Sequence, residues 1–117
     1  MGTLKVFDTN AVIAVAGGTL SQRPGITVVI SIVTRLELLC WPDLTDFDRS
    51  EVRNMVDSLP TIQITEEIEN HVVAIRTSKL LKLPDAIIAA TALHLGVPLV
   101  SRDRAFDRVP GLTVEPF

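Results

Sequence analysis

The chain has 117 residues, of which 47% are hydrophobic and only 4% aromatic, and its formal net charge is −3. This length predicts one small domain, residues 1–117, with an aliphatic core, and the negative charge argues against nucleic-acid binding by bulk positive charge alone. Cys40 has no second cysteine to pair with, no apolar run is long enough to span a bilayer, and the N-terminus lacks the features of a signal peptide. These features predict a cytoplasmic protein with no membrane contact.

The first third of the chain predicts strands that alternate with helices. Residues 4–8, "LKVFD", predict a buried strand, and "TNAVIAVAG" predicts a helix that ends at Gly17 and Gly18. "SQRPG" predicts a loop, and the β-branched residues 26–31 predict a second buried strand. The helix predicted for "TRLELLCW" is broken by Pro42.

The rest of the chain continues this alternation. A polar helix is predicted from about 45 to 59, followed by a short edge strand, "TIQIT", and an amphipathic helix, "EEIENHVVAIRTSKLL", with Ile68, Val72, Val73 and Ile75 facing inward. "PDAIIAATALHLG" has almost no polar face and therefore predicts a buried helix, and "VPLVS" and "LTVEP" predict two further strands around the turn "RDRAFDRV". The sequence thus predicts an α/β fold, with a mainly parallel sheet between helices on both faces.

Four carboxylates are expected to meet at one edge of this sheet. Asp8 closes the first strand, Glu37 lies in the helix after the second, Asp85 begins the buried helix, and Asp103 follows "VPLVS". In a parallel sheet, the strand ends that lead into helices share one edge, and ligands bind there. Each acid alone also has a structural explanation: Asp8 as a helix cap, Glu37 as the end of an S/T-x-x-E capping box that begins at Thr34, Asp85 beside a helix dipole and Asp103 in a turn.

The conjunction of the four acids favours a divalent cation site. Capping requires an oxygen atom but not a full negative charge, and like charges several Å apart repel each other by roughly 1 kcal/mol or more at intermediate dielectric. Because no His or Cys is among the candidates, the hard oxygen ligands favour Mg²⁺ or Mn²⁺ over zinc. His71 and His94 have no partners at ligand spacing and are expected to be ordinary helix residues.

Four stretches of the sequence resemble PIN-domain ribonucleases, and in particular the VapC-type toxins of bacterial and archaeal toxin–antitoxin pairs. "FDTNAVI", "SIVTRLELL", "LPDAIIAATAL" and "LVSRDRAFDRVPGL" occur in the order and spacing of that family, and the likeness covers residues 4–117. The resemblance implies a PIN-like three-layer α/β/α sandwich whose central, mainly parallel sheet has about four to five strands. It also implies a Mg²⁺- or Mn²⁺-dependent endoribonuclease that hydrolyses RNA phosphodiester bonds, with four catalytic and metal-binding acids: Asp8, Glu37, Asp85 and Asp103.

The resemblance also assigns supporting roles around these acids. Ser101 matches a Ser/Thr position that supports the site by hydrogen bonding, and Asp107 matches a peripheral acid. Thr9 and Asn10 follow the first acid directly and are expected to orient it. The family further implies a homodimer and a cognate antitoxin protein whose peptide lies across the active-site groove.

Five arginines are candidates for contact with the substrate or with the acids. Arg102, Arg104 and Arg108 flank the fourth acid and are placed to meet backbone phosphates of RNA, although solvated surface charges explain them equally well. Arg35 and Arg76 are expected either to line the groove or to pair with the acids.

Rival interpretations remain open at this stage. One is a PIN-like module that binds RNA or a partner without cleaving. Another is an aspartyl-phosphate phosphatase, but the haloacid-dehalogenase pattern requires an Asp two residues after the first acid, where this chain has Asn10. A receiver domain requires an acidic pair near the N-terminus and a Lys after a late strand, and the sequence has neither.

Overall fold

The computed structural model describes residues 3–21 and 24–117. Within these residues five strands form one sheet, and every pair of neighbouring strands is parallel. The strands are β1 (Thr3–Phe7), β2 (Ile26–Ser31), β3 (Thr61–Ile62), β4 (Leu99–Val100) and β5 (Val114–Glu115). Their order across the sheet is β3-β2-β1-β4-β5, so β1 is central and its carboxyl end lies beside that of β4.

Helices connect the strands, as parallel pairing requires. They are α1 (Thr9–Ala16), α2 (Ile32–Leu39), α3 (Asp46–Asp57), α4 (Glu66–Thr77) and α5 (Leu83–Leu95), followed by one 3₁₀ turn, Arg104–Arg108. The predicted α/β fold with a parallel sheet is confirmed. No helix in the described part of the chain is both long and apolar enough to cross a membrane.

The sheet separates two hydrophobic cores. Successive strand residues point to opposite faces, so Val6 joins the core beneath α4 and α5 whereas Phe7 joins the core beneath α1, α2 and α3. Val29 and Ile30 divide between the same two cores. The molecule is therefore a sandwich in which the sheet is covered on both faces.

Helix α5 is the most deeply buried helix of the sandwich, as its sequence predicts. Ala86, Ala89, Ala90 and Ala92 are fully buried, and these small side chains allow the helix to pack close to β1, β2 and α4. A proline lies in its first turn, and Gly96 ends it in the left-handed conformation with φ of 67°. The helix is thus a fixed support for the acid in its first turn.

Two sequence predictions about the helices are wrong. Ser31 rather than Thr34 caps α2, since the Ser31 hydroxyl accepts a hydrogen bond from Thr34 N at 3.2 Å. Glu37 is therefore in the sixth position of the helix and cannot complete a capping box. Val73 does not face inward but is 53% exposed, because a residue five positions after Ile68 lies about 140° away around the helix.

The remaining differences are in element ends. Helix α4 stops at Thr77 rather than running on through the predicted "SKLL", and β3 has only 2 residues. The loop predicted for "SQRPG" includes Gln22 and Arg23, which lie outside the described residues.

Candidate active site

Asp8 is the most buried of the four acids, with 5% of its surface exposed. It directly follows β1, and pairing of β1 with β4 brings it beside Ser101, the residue after β4. Its Oδ1 accepts a hydrogen bond from Ala11 N at 2.8 Å, and its Oδ2 accepts one from the Ser101 hydroxyl at 2.5 Å. Burial raises the pKa of Asp8 above its ordinary value, while these two hydrogen bonds act in the opposite direction.

Ser101 links Asp8 to Asp103. The buried Ser101 Oγ donates to Asp8 and accepts a hydrogen bond from Asp103 N at 3.0 Å. Asp103 is exposed and caps the 3₁₀ turn, since its Oδ1 accepts from Ala105 N at 2.9 Å. The hydrogen bond expected of Ser101 is therefore present, and it connects the first and last acids of the sequence.

Asp85 lies in the first turn of α5 and is half-buried. Burial raises its pKa most, and the negative charges of Asp103, Glu37 and Asp8 raise it further. Such repulsion is screened less in a partly desolvated region than in open solvent. The four acids, which come from four separate parts of the chain, therefore lie in one common electrostatic field.

Glu37 is held by Thr9 rather than by its own helix. The Thr9 hydroxyl donates to Glu37 Oε1 at 2.5 Å, which couples the start of α1 to α2. The Thr9 hydroxyl faces α2, where it also lies 3.3 Å from the Thr34 hydroxyl, whereas Asp8 accepts its hydrogen bonds from Ser101 and Ala11. Asn10 is exposed, and in the described part of the chain no hydrogen bond joins it to Asp8.

A cleft of about 390 Å³ opens beside Asp85 and Asp103. Its other charged lining residues are all cations, namely Arg76, Lys79, Lys82 and Arg108. Arg76 and Arg108 were both candidates from sequence, whereas the two lysines were not. A larger cavity of about 490 Å³ lies between α2 and α3, and none of the four acids lines it.

The other candidate arginines each have a partner outside the cleft, although the charge of Arg102 still acts to lower the pKa of Asp8. Arg104 Nε donates to Asp107 Oδ2 at 2.8 Å, and both side chains are exposed. Arg102 lies over the ring of Phe117, with 4.8 Å between its guanidinium carbon and the ring centroid. Arg35 pairs with Asp57 at 2.9 Å.

The donor set fits a hard divalent cation by its chemistry. The four groups are carboxylates, three of which act electrostatically on Asp85, and no soft ligand lies among them. In the described residues, however, no three His, Cys, Asp or Glu side chains are arranged as a ready-made ligand set. Glu37 and Asp103 each have one oxygen occupied by a hydrogen bond within the protein, which leaves the other oxygen of each side chain available to an ion.

The family of the chain is decided by its match to the PIN domain, which covers residues 5–112. The chain belongs to the PIN-domain family. A toxin–antitoxin complex from Klebsiella pneumoniae is 30% identical, covers 93% of this chain and 95% of that chain, and has a TM-score of 0.74. The fold implied by the resemblance is confirmed.

Other relatives are more distant or match over a shorter stretch. VapBC2 from Rickettsia felis, solved with a DNA fragment from its promoter, has a TM-score of 0.80 at 17% identity and covers 98% of this PIN domain and 99% of that chain. Ribonuclease VapC21 of Mycobacterium tuberculosis is 46% identical over 35 residues, or 30% of this chain. That match spans 25% of the relative's own length.

Proposed function

We propose that this PIN domain is a divalent-metal-dependent endoribonuclease and the toxin of a VapBC-type toxin–antitoxin pair. The observation that carries the proposal is the gathering of the four acids at one edge of the sheet. Ser101 joins Asp8 to Asp103 by hydrogen bonds, and the charges of Asp8, Glu37 and Asp103 all raise the pKa of Asp85. Membership of the PIN family and relatives named as a ribonuclease and as toxin–antitoxin complexes support it. The substrate is RNA, and the products carry 5′-phosphate and 3′-hydroxyl ends, as the family implies.

The four acids have distinct proposed roles. Asp8 and Asp85 hold Mg²⁺ or Mn²⁺, and Asp103 and Glu37 complete the site. When bound, such an ion neutralises charge on the phosphodiester and makes water a stronger nucleophile at neutral pH. Glu37 is also the proposed acceptor of a proton from the attacking water, and its exposure and the hydrogen bond from Thr9 to one of its oxygens support that role.

The hydrogen bonds of the site favour the ionised form of its buried acid. Asp8 must be ionised to bind a cation, but burial raises its pKa. The hydrogen bonds from Ser101 and Ala11 favour the ionised carboxylate and offset part of this desolvation. Ser101 is therefore a positioning residue that acts through Asp8.

Further parts of the proposal concern partners and location. A cognate antitoxin is supported by the toxin–antitoxin assemblies among the structural relatives. The family resemblance predicts a homodimer. The single cysteine is consistent with a cytoplasmic location. Phosphate contacts are predicted for three arginines that flank the fourth acid: Arg102, Arg104 and Arg108. Asn10 and Asp107 remain candidates for supporting roles.

Cleavage of RNA by the purified protein tests this proposal. The chain, free of any partner, is incubated with total cellular RNA and Mn²⁺ or Mg²⁺, with and without chelator. We expect discrete cleavage that requires metal and falls on the order of 100-fold or more in Asp85→Asn, because that change removes a ligand charge. Glu51→Gln is the matched control, since it neutralises an exposed acid on α3.

Absence of cleavage would be followed by a measurement of RNA binding. If folded, metal-loaded protein retains RNA in a filter-binding assay but cuts none of it, the non-cleaving PIN-like module becomes the better description. Cleavage that continues unchanged in Asp85→Asn would remove the acid cluster from the mechanism.

A further inference from the structure

Four cations gather in the cleft beside the acid cluster, and we call this feature the basic cleft. Arg76, Lys79 and Lys82 come from the end of α4 and the segment leading into α5, and Arg108 ends the 3₁₀ turn. In the described part of the chain, none of the four lies within ion-pair distance of a carboxylate. The whole chain has a net charge of −3. The positive charge of the basic cleft is therefore a local feature and not a consequence of the overall composition.

Lys79 occupies a backbone position that ordinarily favours glycine. Its φ is +57°, in the left-handed region. Lys79 N donates to Arg76 O at 3.0 Å and Leu80 N donates to Ile75 O at 3.2 Å, which is the pattern that closes a helix after α4. Folding alone would favour Gly at this position, since a side chain is strained there.

Lys82 is a second residue that its local structure does not favour. It is the N-cap of α5 and makes no capping hydrogen bond with its side chain, where Ser, Thr, Asp or Asn would make one. Its charge is near enough to Asp85 to lower the pKa of that acid. Lys79 thus stands where the backbone conformation favours glycine, and Lys82 stands where a capping side chain is favoured. Both lysines line the same cleft.

Arg76 is held in place within the cleft. Its Nη1 donates to Leu81 O at 2.8 Å, which anchors one side of the guanidinium. The remaining N–H groups of the planar fork are left for an anion, and this geometry suits the oxygens of a phosphate.

We propose that the basic cleft binds a backbone phosphate of the RNA strand, adjacent to the phosphodiester that lies at the acid cluster. This inference rests on the proposed function. The four acids repel an approaching RNA strand, and cations that flank them on one side offset that repulsion and fix the direction in which the strand runs. Phosphate contacts position a nucleic acid without reading its bases, so the cleft contributes affinity and register rather than sequence preference.

The test uses a double variant that removes charge while favouring folding. Lys79→Gly relieves the left-handed strain, and Lys82→Ser supplies a helix cap. We therefore expect a melting temperature at or above that of the wild type. Arg49→Gln/Arg53→Gln on α3 removes the same amount of charge away from the acid cluster and is the matched control.

Binding is measured by fluorescence anisotropy with a labelled single-stranded RNA of mixed sequence, in chelator, across a salt series. We expect the Kd of Lys79→Gly/Lys82→Ser to rise on the order of tenfold and the slope of log K against log salt to fall by about 0.7, since one phosphate contact on a single strand contributes about that much. In Mn²⁺, the same variant should cleave with a higher KM. Lys82→Gln alone should give about half of the change in slope.

The outcomes distinguish the two proposals. If wild type and control cleave RNA and the double variant keeps the wild-type salt slope and KM, the basic cleft does not bind phosphate, and the nuclease assignment still stands. If folded wild type neither binds nor cleaves RNA, the proposed function itself fails, and this inference fails with it.

Discussion

Asp8 and Asp103 each cap a helical turn and also belong to the acid cluster. Asp8 accepts from Ala11 N, and Asp103 accepts from Ala105 N, as helix caps do. The same two acids are joined through Ser101 at the edge of the sheet. Structural and functional explanations of these residues are thus compatible, because each oxygen of a carboxylate can accept a hydrogen bond and still have a lone pair for a cation.

The raised pKa of Asp85 predicts a gain in stability when that acid is neutralised. In the absence of metal, the folded state holds the Asp85 proton more tightly than the unfolded state, whose pKa is about 3.9. Stability therefore falls as pH rises from about 4 through the raised folded-state pKa, and the full penalty applies above it. We expect Asp85→Asn, in chelator, to melt higher than wild type at pH 7, with the difference disappearing near pH 3.

The size of this effect is limited by solvent. Asp85 is only half-buried, so screening should keep the gain below about 1 kcal/mol. Thermal unfolding at several pH values measures it, and Glu51→Gln, which neutralises an exposed acid, should leave the melting temperature nearly unchanged. A lower melting temperature for Asp85→Asn at pH 7 would mean that Asp85 stabilises the fold, in which case its placement needs no functional reason.

The sequence located the acids of the cluster but not all of their partners. Acids at the ends of parallel strands can be placed from the strand pattern, because the topology brings those ends to one edge. The contact between Thr9 and Glu37 could not be derived this way, since it depends on how α1 packs beside α2. Lys79 and Lys82 carry a local signal: one lacks the glycine typical of a helix end, and the other lacks a capping side chain.

At the scale of elements, α5 depends on small side chains for its position. Ala86, Ala89 and Ala90 are fully buried between the sheet and α4, so the helix axis lies close to its neighbours. Because Asp85 precedes Ala86 directly, any shift of the helix end moves the acid. The packing of α5 and the geometry of the cluster are therefore coupled.

Enlarging one of these alanines should destabilise the protein. Ala89→Leu inserts three carbons into a filled core, and we expect a loss of about 1–3 kcal/mol or more in the free energy of unfolding. Urea denaturation measures the loss. Ala74→Leu on α4 is the matched control, because Ala74 is exposed, and it should change stability by less than about 0.5 kcal/mol. Equal stability of the two variants would show that α5 has room to move.

Element type was predictable, but element ends were less so. Runs of β-branched residues and a helix without a polar face are strong signals, and both gave the observed strands and α5. The start of α2 was misplaced because Ser31 and Thr34 are both good caps, and the strand before the helix decides between them. Val73 was misplaced because Val72 and Val73 are adjacent apolar residues, and the sequence does not show which of them lies on the buried face of α4.

At the scale of the whole molecule, the parallel sheet concentrates negative charge at one edge. Strand β1 is central and its end adjoins that of β4, so Asp8 and Asp103 meet although they are far apart in sequence. Nothing in the folding of the sheet requires this charge, and the repulsion opposes folding. A cation bound at this edge would convert a destabilising cluster into a stabilising one.

Divalent metal should therefore raise the stability of the whole protein, independently of any activity. Binding to the folded state alone adds about 2.7 kcal/mol at a metal concentration of 100 times Kd, which is roughly 10 °C in Tm for a chain of this size. We expect Mg²⁺ or Mn²⁺ to raise the Tm of the wild type and of Glu51→Gln, with NaCl at equal ionic strength as the control. Asp85→Asn should lose most of the rise, because the change removes both a ligand and the repulsion that the ion relieves. An equal rise in Asp85→Asn would place the metal outside the acid cluster, whereas no rise in the wild type would mean that the four carboxylates do not form a metal site.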